Sequence, residues 1–182
     1  GQLWSAYIRY IGAGAALANR TERRSDAVMS KYNRILFVDV ELTCWEGTPP
    51  AGEQSEVIAF GIVDLKTDDL EIRREKMYFV RPQVSTISPF CSTLTGITPK
   101  EADEAPPLPE VVRTIRKTFG QSDWCAWGRD DVLIRESCAR AGAELPFLGG
   151  FHDLAAQVPS LLGLTYRLGL DEALGRLGLD WE

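Results

Sequence analysis

Asp39 and Glu41 stand two positions apart in the run Arg34 to Glu41, which reads RILFVDVE. Strand side chains alternate between faces, so these two carboxylates share one side while Val40 takes the other. Two acids at the edge of an apolar core repel each other and raise one pKa unless a cation compensates. Hard oxygen ligands of this kind select Mg²⁺ or Mn²⁺ over zinc. An Asp-x-Glu pair also arises by chance at exposed strand ends, where it is plain surface charge. A second source of carboxylates is Trp127-Gly128-Arg129-Asp130-Asp131, in which a short apolar strand reaches a glycine and delivers two aspartates to a helix start. Asp130 suits an N-cap there, which leaves Asp131 to turn toward the carboxylate edge of the sheet. Three carboxylates from two strand ends are the usual supply for a two-metal phosphoryl site. One ion prepares an attacking water and the other stabilises a leaving 3′ oxygen.

The elements that must position these groups follow from apolar patterning. The spacing predicts a buried strand from Arg34 to Val40, a loop from Thr43 to Ser55 and a second strand from Glu56 to Leu65. A turn at Lys66–Asp69 leads to a third strand, Leu70 to Val80, whose alternation marks it as half exposed. Hairpin-length connections make these three strands antiparallel neighbours. A short helix is expected near Ser88–Thr95, then a helix from Pro107 to Phe119, a buried strand at Trp124–Trp127 and a helix from Asp131 to Ala141. Two further helices are expected around Asp153–Leu162 and Asp171–Leu177. The fold class is therefore α/β, a mixed sheet with three antiparallel strands plus parallel ones, flanked by helices.

Composition narrows the function classes. The 182 residues carry 20 Lys+Arg against 26 Asp+Glu, a net charge of −6. This balance excludes a protein that coats long duplexes with basic side chains, but not a small cleft that takes the end of a strand. No run of about 18 apolar residues is present, so no membrane partner is expected. Cys44, Cys91, Cys125 and Cys138 are widely spaced and form no C-x-x-C pair, which reads as reduced thiols in a cytoplasmic protein. Residues 1–28 differ in character: Leu3, Trp4, Tyr7, Ile8 and Ile11 recur at helical spacing and a polar, mostly basic stretch follows. They are assigned to an amphipathic helix and linker or to an appended segment, a possible contact for a protein partner or a homodimer. Residues 29–182 form the main domain.

In order along the chain, Phe37-Val38-Asp39-Val40-Glu41-Leu42-Thr43-Cys44-Trp45 resembles the first motif of the DEDDh 3′–5′ exonucleases. The Thr-Cys pair is similar to the group that contains the enhancer-of-RNA-interference and KapD-type exonucleases. Further matches are Glu56-Val57-Ile58, Phe79-Val80-Arg81-Pro82, Ser88 to Cys91 leading into Leu94-Thr95-Gly96-Ile97, Trp127-Gly128 with Asp131, then Asp153 and Gly169 to Leu174. The resemblance implies an RNase H-like fold with Asp39, Glu41 and Asp131 as catalytic ligands of two ions, Mg²⁺ or Mn²⁺. It implies that the backbone at Leu42 and Thr43 meets the terminal nucleotide, that Leu94, Thr95 and Ile97 line the slot for its base, and that Glu56 helps to hold the edge of the site. An apolar slot suits sequence-tolerant stacking; Leu94 and Ile97 could equally be core at a helix end.

The implied activity is hydrolysis of single-stranded nucleic acid, RNA above all, or DNA, from its 3′ end to nucleoside 5′-monophosphates. The family's last motif, a histidine followed five residues later by an aspartate, is not among residues 1–182. The only histidine, His152, precedes Asp153 in the wrong order and reads as a residue flanking a helix start. Two explanations compete: a longer enzyme that supplies the histidine, which is the favoured expectation, or a catalytically incomplete nucleic-acid-binding or partner-docking module. Overall acidity favours short single-stranded 3′ ends as substrates.

Overall fold

Along β1 (Arg34–Leu42), Leu36, Val38 and Val40 are buried and alternate with the half-buried Phe37, Asp39 and Glu41. β1 is the middle strand of a five-stranded sheet whose other strands are β2 (Val57–Lys66), β3 (Ile72–Phe79), β4 (Trp124–Ala126) and β5 (Phe151–Asp153), in the order β3-β2-β1-β4-β5. The computed structural model describes residues 33–179. The amphipathic helix and linker expected over residues 1–28 lie outside the described residues.

β1, β2 and β3 pair antiparallel, while β1–β4 and β4–β5 are parallel. The expected mixed sheet is what forms. One face packs against α3 (Leu108–Phe119) and α4 (Asp130–Arg140), where Leu36, Val38, Val40, Phe60 and Ile62 meet Val112, Ile115, Phe119 and Ile134. The other face carries α1 (Pro89–Thr95) and α2 (Pro99–Glu104), which close a second cluster of Ile58, Ala59, Cys91, Ile97 and Ala102. α5 (Leu154–Leu161) follows β5 directly, and α6 (Leu170–Leu177) brings Leu170 to the cluster of Val63 and Leu65, on which Ile35 and Phe37 also pack. Among the described residues no helix is long and apolar enough to cross a membrane.

Two elements depart from the sequence expectations. α2 sits in what reads as a connection; a reciprocal Thr98–Glu101 capping box and Pro99 at the first turn start it. β5 is a short strand that the sequence does not announce: Phe151, His152 and Asp153 pair with Trp124, Cys125 and Ala126, and the expected helix begins directly after it with Asp153 as N-cap. His152 therefore sits in the sheet's edge strand and immediately precedes the N-cap Asp153, flanking the helix start as the sequence suggests.

Candidate active site

β1 presents Asp39 and Glu41 on the face opposite to the Leu36–Val38–Val40 core, as the alternation requires. Their partners across the β1–β2 ladder are Gly61 and Ala59. Directly opposed residues in an antiparallel pair share a face, so the two carboxylates are bordered by a bare backbone and a single methyl. A register irregularity follows at once between Glu41 and Leu42, a bulge of the kind that bends a strand beside a site.

The backbone after Glu41 is tied down from both sides. Thr43 is buried; its hydroxyl donates to the Gln54 carbonyl (3.1 Å) and accepts from the Glu56 N–H (3.0 Å), while its own N–H donates to the Glu56 carbonyl (2.9 Å). From α1, the Ser88 hydroxyl donates to the Cys44 carbonyl (2.6 Å) and also caps its own helix by accepting from the Cys91 N–H (2.9 Å). The Cys91 thiol reaches the Leu42 carbonyl at 3.5 Å. Glu56 anchors the edge in another way: its carboxylate accepts the N–H groups of Gln83 (3.1 Å), Val84 (3.0 Å) and Ser85 (2.7 Å), fixing the segment that precedes α1.

α1 separates the residues expected to form a base slot. Leu94 is 53% exposed, whereas Ile97, at 2%, belongs to the core cluster beneath the helix. Thr95 is also buried, its hydroxyl donating to the Cys91 carbonyl (2.8 Å) and accepting from the Ile97 N–H (3.1 Å). Of the three, Leu94 alone offers an apolar surface to a ligand; Thr95 and Ile97 support it from below.

The third carboxylate comes from an unexpected neighbour. β4 leads through Gly128, whose φ of +125° favours glycine, into the first turn of α4. Arg129 takes the N-cap position and Asp130 becomes the first helical residue, making no capping bond. Its carboxyl accepts instead from the Val40 backbone, and burial first, then the charge of Asp39, raises its pKa to about 7. Asp131, the aspartate expected to complete the site, is turned into two guanidiniums: Arg129 at 2.8 and 3.2 Å, and Arg135 at 3.4 Å. The Arg129 hydrogen bond and charge hold the Asp131 carboxyl below the usual range.

Burial raises the Asp39 pKa to about 6; burial and then the charge of Asp39 raise that of Glu41 to about 7. No ion pair among the described residues joins Asp39, Glu41 or Asp130 to a lysine or arginine, although ten other ion pairs form. Half-buried carboxyls without a lysine or arginine partner are a donor set that fits a hard divalent cation. Among the described residues no three acidic, cysteine or histidine side chains are close enough to hold a metal together, so the acids are gathered without being closed into a site.

Residues 36–158 match the family model described as exonuclease (RNase T). The chain belongs to this exonuclease family. The exonuclease domain is 43% identical over 94 residues to 3′-5′ exoribonuclease 1 of Rattus norvegicus, covering 51% of this chain and 27% of that protein. It is 32% identical over 123 residues to the 3′-5′ exonuclease Snipper of Drosophila melanogaster, covering 66% and 40%. A solved structure described as the nuclease domain of 3′hExo, a DEDDh family member, bound to rAMP, superposes with a TM-score of 0.72 at 26% identity, covering 84% of this chain and 82% of that one. The fold is thus RNase H-like and the domain is of the DEDDh, ERI1-type group, in which divalent-metal dependence is a family property. The chain spans about 27% of the length of the first curated relatives it matches.

Proposed function

We propose that the exonuclease domain hydrolyses single-stranded RNA from its 3′ end and releases nucleoside 5′-monophosphates, with two divalent ions, Mg²⁺ or Mn²⁺, as cofactors. The observation that carries this reading is the half-buried set Asp39, Glu41 and Asp130, without a lysine or arginine partner and opened to one side by Gly61 and Ala59. Its oxygen-only chemistry and acid character suit those ions. Divalent ions bound there supply stabilisation for the charge that develops on the phosphoryl group and on the leaving 3′ oxygen.

Asp39, at the middle of the set, is proposed to hold both ions, Glu41 one, and the Asp130–Asp131 turn the other, with Asp130 as the carboxylate already facing Asp39. The Leu42–Cys44 backbone, fixed by Ser88 and Glu56, presents a rigid edge to the terminal nucleotide. Leu94 gives its base an apolar surface that any base can use. The structural likeness to a 3′-exonuclease that recognises the 3′ end of a histone mRNA stem-loop, 27% identical with a TM-score of 0.69, supports RNA over DNA. The four free thiols support a reducing, cytoplasmic setting.

The test is a 5′-labelled single-stranded oligoribonucleotide incubated with the purified protein and Mn²⁺. A 3′-shortened ladder with nucleoside 5′-monophosphate, abolished by Asp39→Asn, is the expected result. Binding without any shortening in Mn²⁺ or Mg²⁺ overturns the enzyme reading and leaves a nucleic-acid-binding module.

A further inference from the structure

We infer that Cys44 and Cys91 close to a reversible disulfide at the edge of the carboxylate cleft, tying the strand end after Glu41 to α1, when a small-molecule disulfide such as oxidised glutathione is present. The bond itself does not depend on the exonuclease reading; its effect on cleavage does. Several observations converge on the pair. The two side chains are hydrogen-bonded to each other. One hydroxyl, that of Ser88, bridges their backbones, donating to the Cys44 carbonyl (2.6 Å) and accepting from the Cys91 N–H (2.9 Å). The Cys91 thiol points back at the segment that carries Cys44, 3.5 Å from the Leu42 carbonyl. Cys44 also packs on the core cluster to which Cys91 belongs.

Exposure orders the chemistry. Cys44 is half-buried, Cys91 is buried, and both are free thiols, so Cys44 is the sulfur that a small disulfide reaches. It attacks one sulfur of the reagent, whose S–S bond breaks and releases one thiol. The Cys91 sulfur then attacks Cys44 in the mixed disulfide and releases the second thiol. The cysteine pair is oxidised and the reagent reduced; the two protons and two electrons leave on the released thiols. Burial first, then the hydrogen bond to Cys91, pushes the Cys44 thiol up to about 11. Thiolate is therefore scarce at neutral pH and the exchange runs over hours. Cys125 and Cys138 are placed elsewhere. Cys125 is buried against the Leu36 carbonyl (3.4 Å), and Cys138 lies in the core cluster on the other face of the sheet.

A disulfide bond is about 2.05 Å long, much shorter than a contact between thiols, and forming it removes the proton that Cys91 offers to Leu42. Closure draws the Leu42–Cys44 backbone toward α1 and so shifts the edge that meets the terminal nucleotide. Disulfides of reducing compartments are usually transient and redox-sensing, and this one sits where it would act on cleavage.

The full chain is held overnight with oxidised glutathione at mildly alkaline pH, its remaining thiols are alkylated, and it is digested without reductant for mass spectrometry. The expected product is one linkage between the Cys44 and Cys91 peptides, with Cys125 and Cys138 alkylated. Shortening of a labelled oligoribonucleotide in Mn²⁺ then falls about 10–100-fold, the scale of an ångström-sized misplacement, and dithiothreitol restores it. Cys91→Ser and Cys44→Ser, each compared with its own untreated rate, no longer respond; Cys44→Ser, at a half-buried loop position, serves if the buried Cys91→Ser fails to fold. Alkylation of both cysteines after treatment, a stable glutathione adduct at Cys44, or a linkage through Cys125 or Cys138 overturns the pair. A linked pair with unchanged cleavage overturns its effect on the site. A linked pair in a protein that shortens no RNA even when reduced keeps the disulfide and overturns the exonuclease reading instead.

Discussion

The Asp130 carboxyl faces Asp39 across the β1–α4 junction, whereas its neighbour Asp131 turns away into Arg129 and Arg135. The two aspartates are therefore separable by substitution. Asp130→Asn is expected to lower nucleotide release in Mn²⁺ by about 10²–10³-fold, the scale of losing one electrostatic group at a reacting centre. Asp131→Asn is expected to keep kcat within about tenfold. Steady-state kinetics on a short oligoribonucleotide read both. The reverse ranking would mean that Asp131 leaves its arginines when metal binds.

The acids also set a pH signature. In the metal-free protein Asp39 holds its proton to about pH 6, and Glu41 and Asp130 hold theirs to about pH 7, against about 4 for unfolded carboxyls. Between those limits the native state binds more protons than the unfolded chain, so the stability these groups contribute is complete below about pH 4 and is lost as pH rises through 6 to 7. Thermal unfolding in EDTA is expected to show a lower Tm at pH 8 than at pH 5. Mn²⁺ should recover more at pH 8 than at pH 5, because it competes with those protons. Asp39→Asn should lessen the decline; an identical decline in that variant would assign the effect elsewhere.

Leu94 and Ile97 are expected to fail in opposite ways. Ile97→Ala empties a site in the Ile58–Cys91–Ala102 cluster and should cost about 2–5 kcal/mol of stability. Leu94→Ala, at an exposed helix position, should stay within about 0.5 kcal/mol. Its effect should appear as an oligoribonucleotide affinity weakened by about 1 kcal/mol of lost apolar contact. Denaturant unfolding and binding titrations on the same two variants are sufficient.

Glu56→Ala leaves three backbone N–H groups at Gln83, Val84 and Ser85 without their acceptor. The expected cost is about 2 kcal/mol, with faster amide exchange confined first to that segment. Unchanged protection at Val84 and Ser85 would show that the carboxylate does not hold it.

Much of this arrangement is legible in the chain. The alternation from Ile35 to Glu41 fixes which face carries the carboxylates, and the short connection 67–71 makes β2 and β3 antiparallel, whereas segment 43–56 is too long to dictate how β1 pairs with β2. β5 is not legible, because three residues, Phe-His-Asp, carry no period and are held in the sheet by β4 alone. α2 carried a readable signal, Thr98-Pro99 with Glu101, in a stretch without an apolar stripe. Neighbouring aspartates are the harder case: pattern cannot say which of Asp130 and Asp131 turns inward, since that depends on whether Arg129 takes the N-cap. The small residues Ala59 and Gly61 opposite the acids also become meaningful only once the register is known.

The outer strand β3 displays Arg73, Arg74, Glu75 and Lys76 in succession, all exposed. If this strand met its copy antiparallel about a two-fold axis, hydrogen-bond alternation would set one residue opposite itself. Anywhere within these four positions, that residue would confront its own charge. The sheet therefore carries its own barrier to self-templated growth.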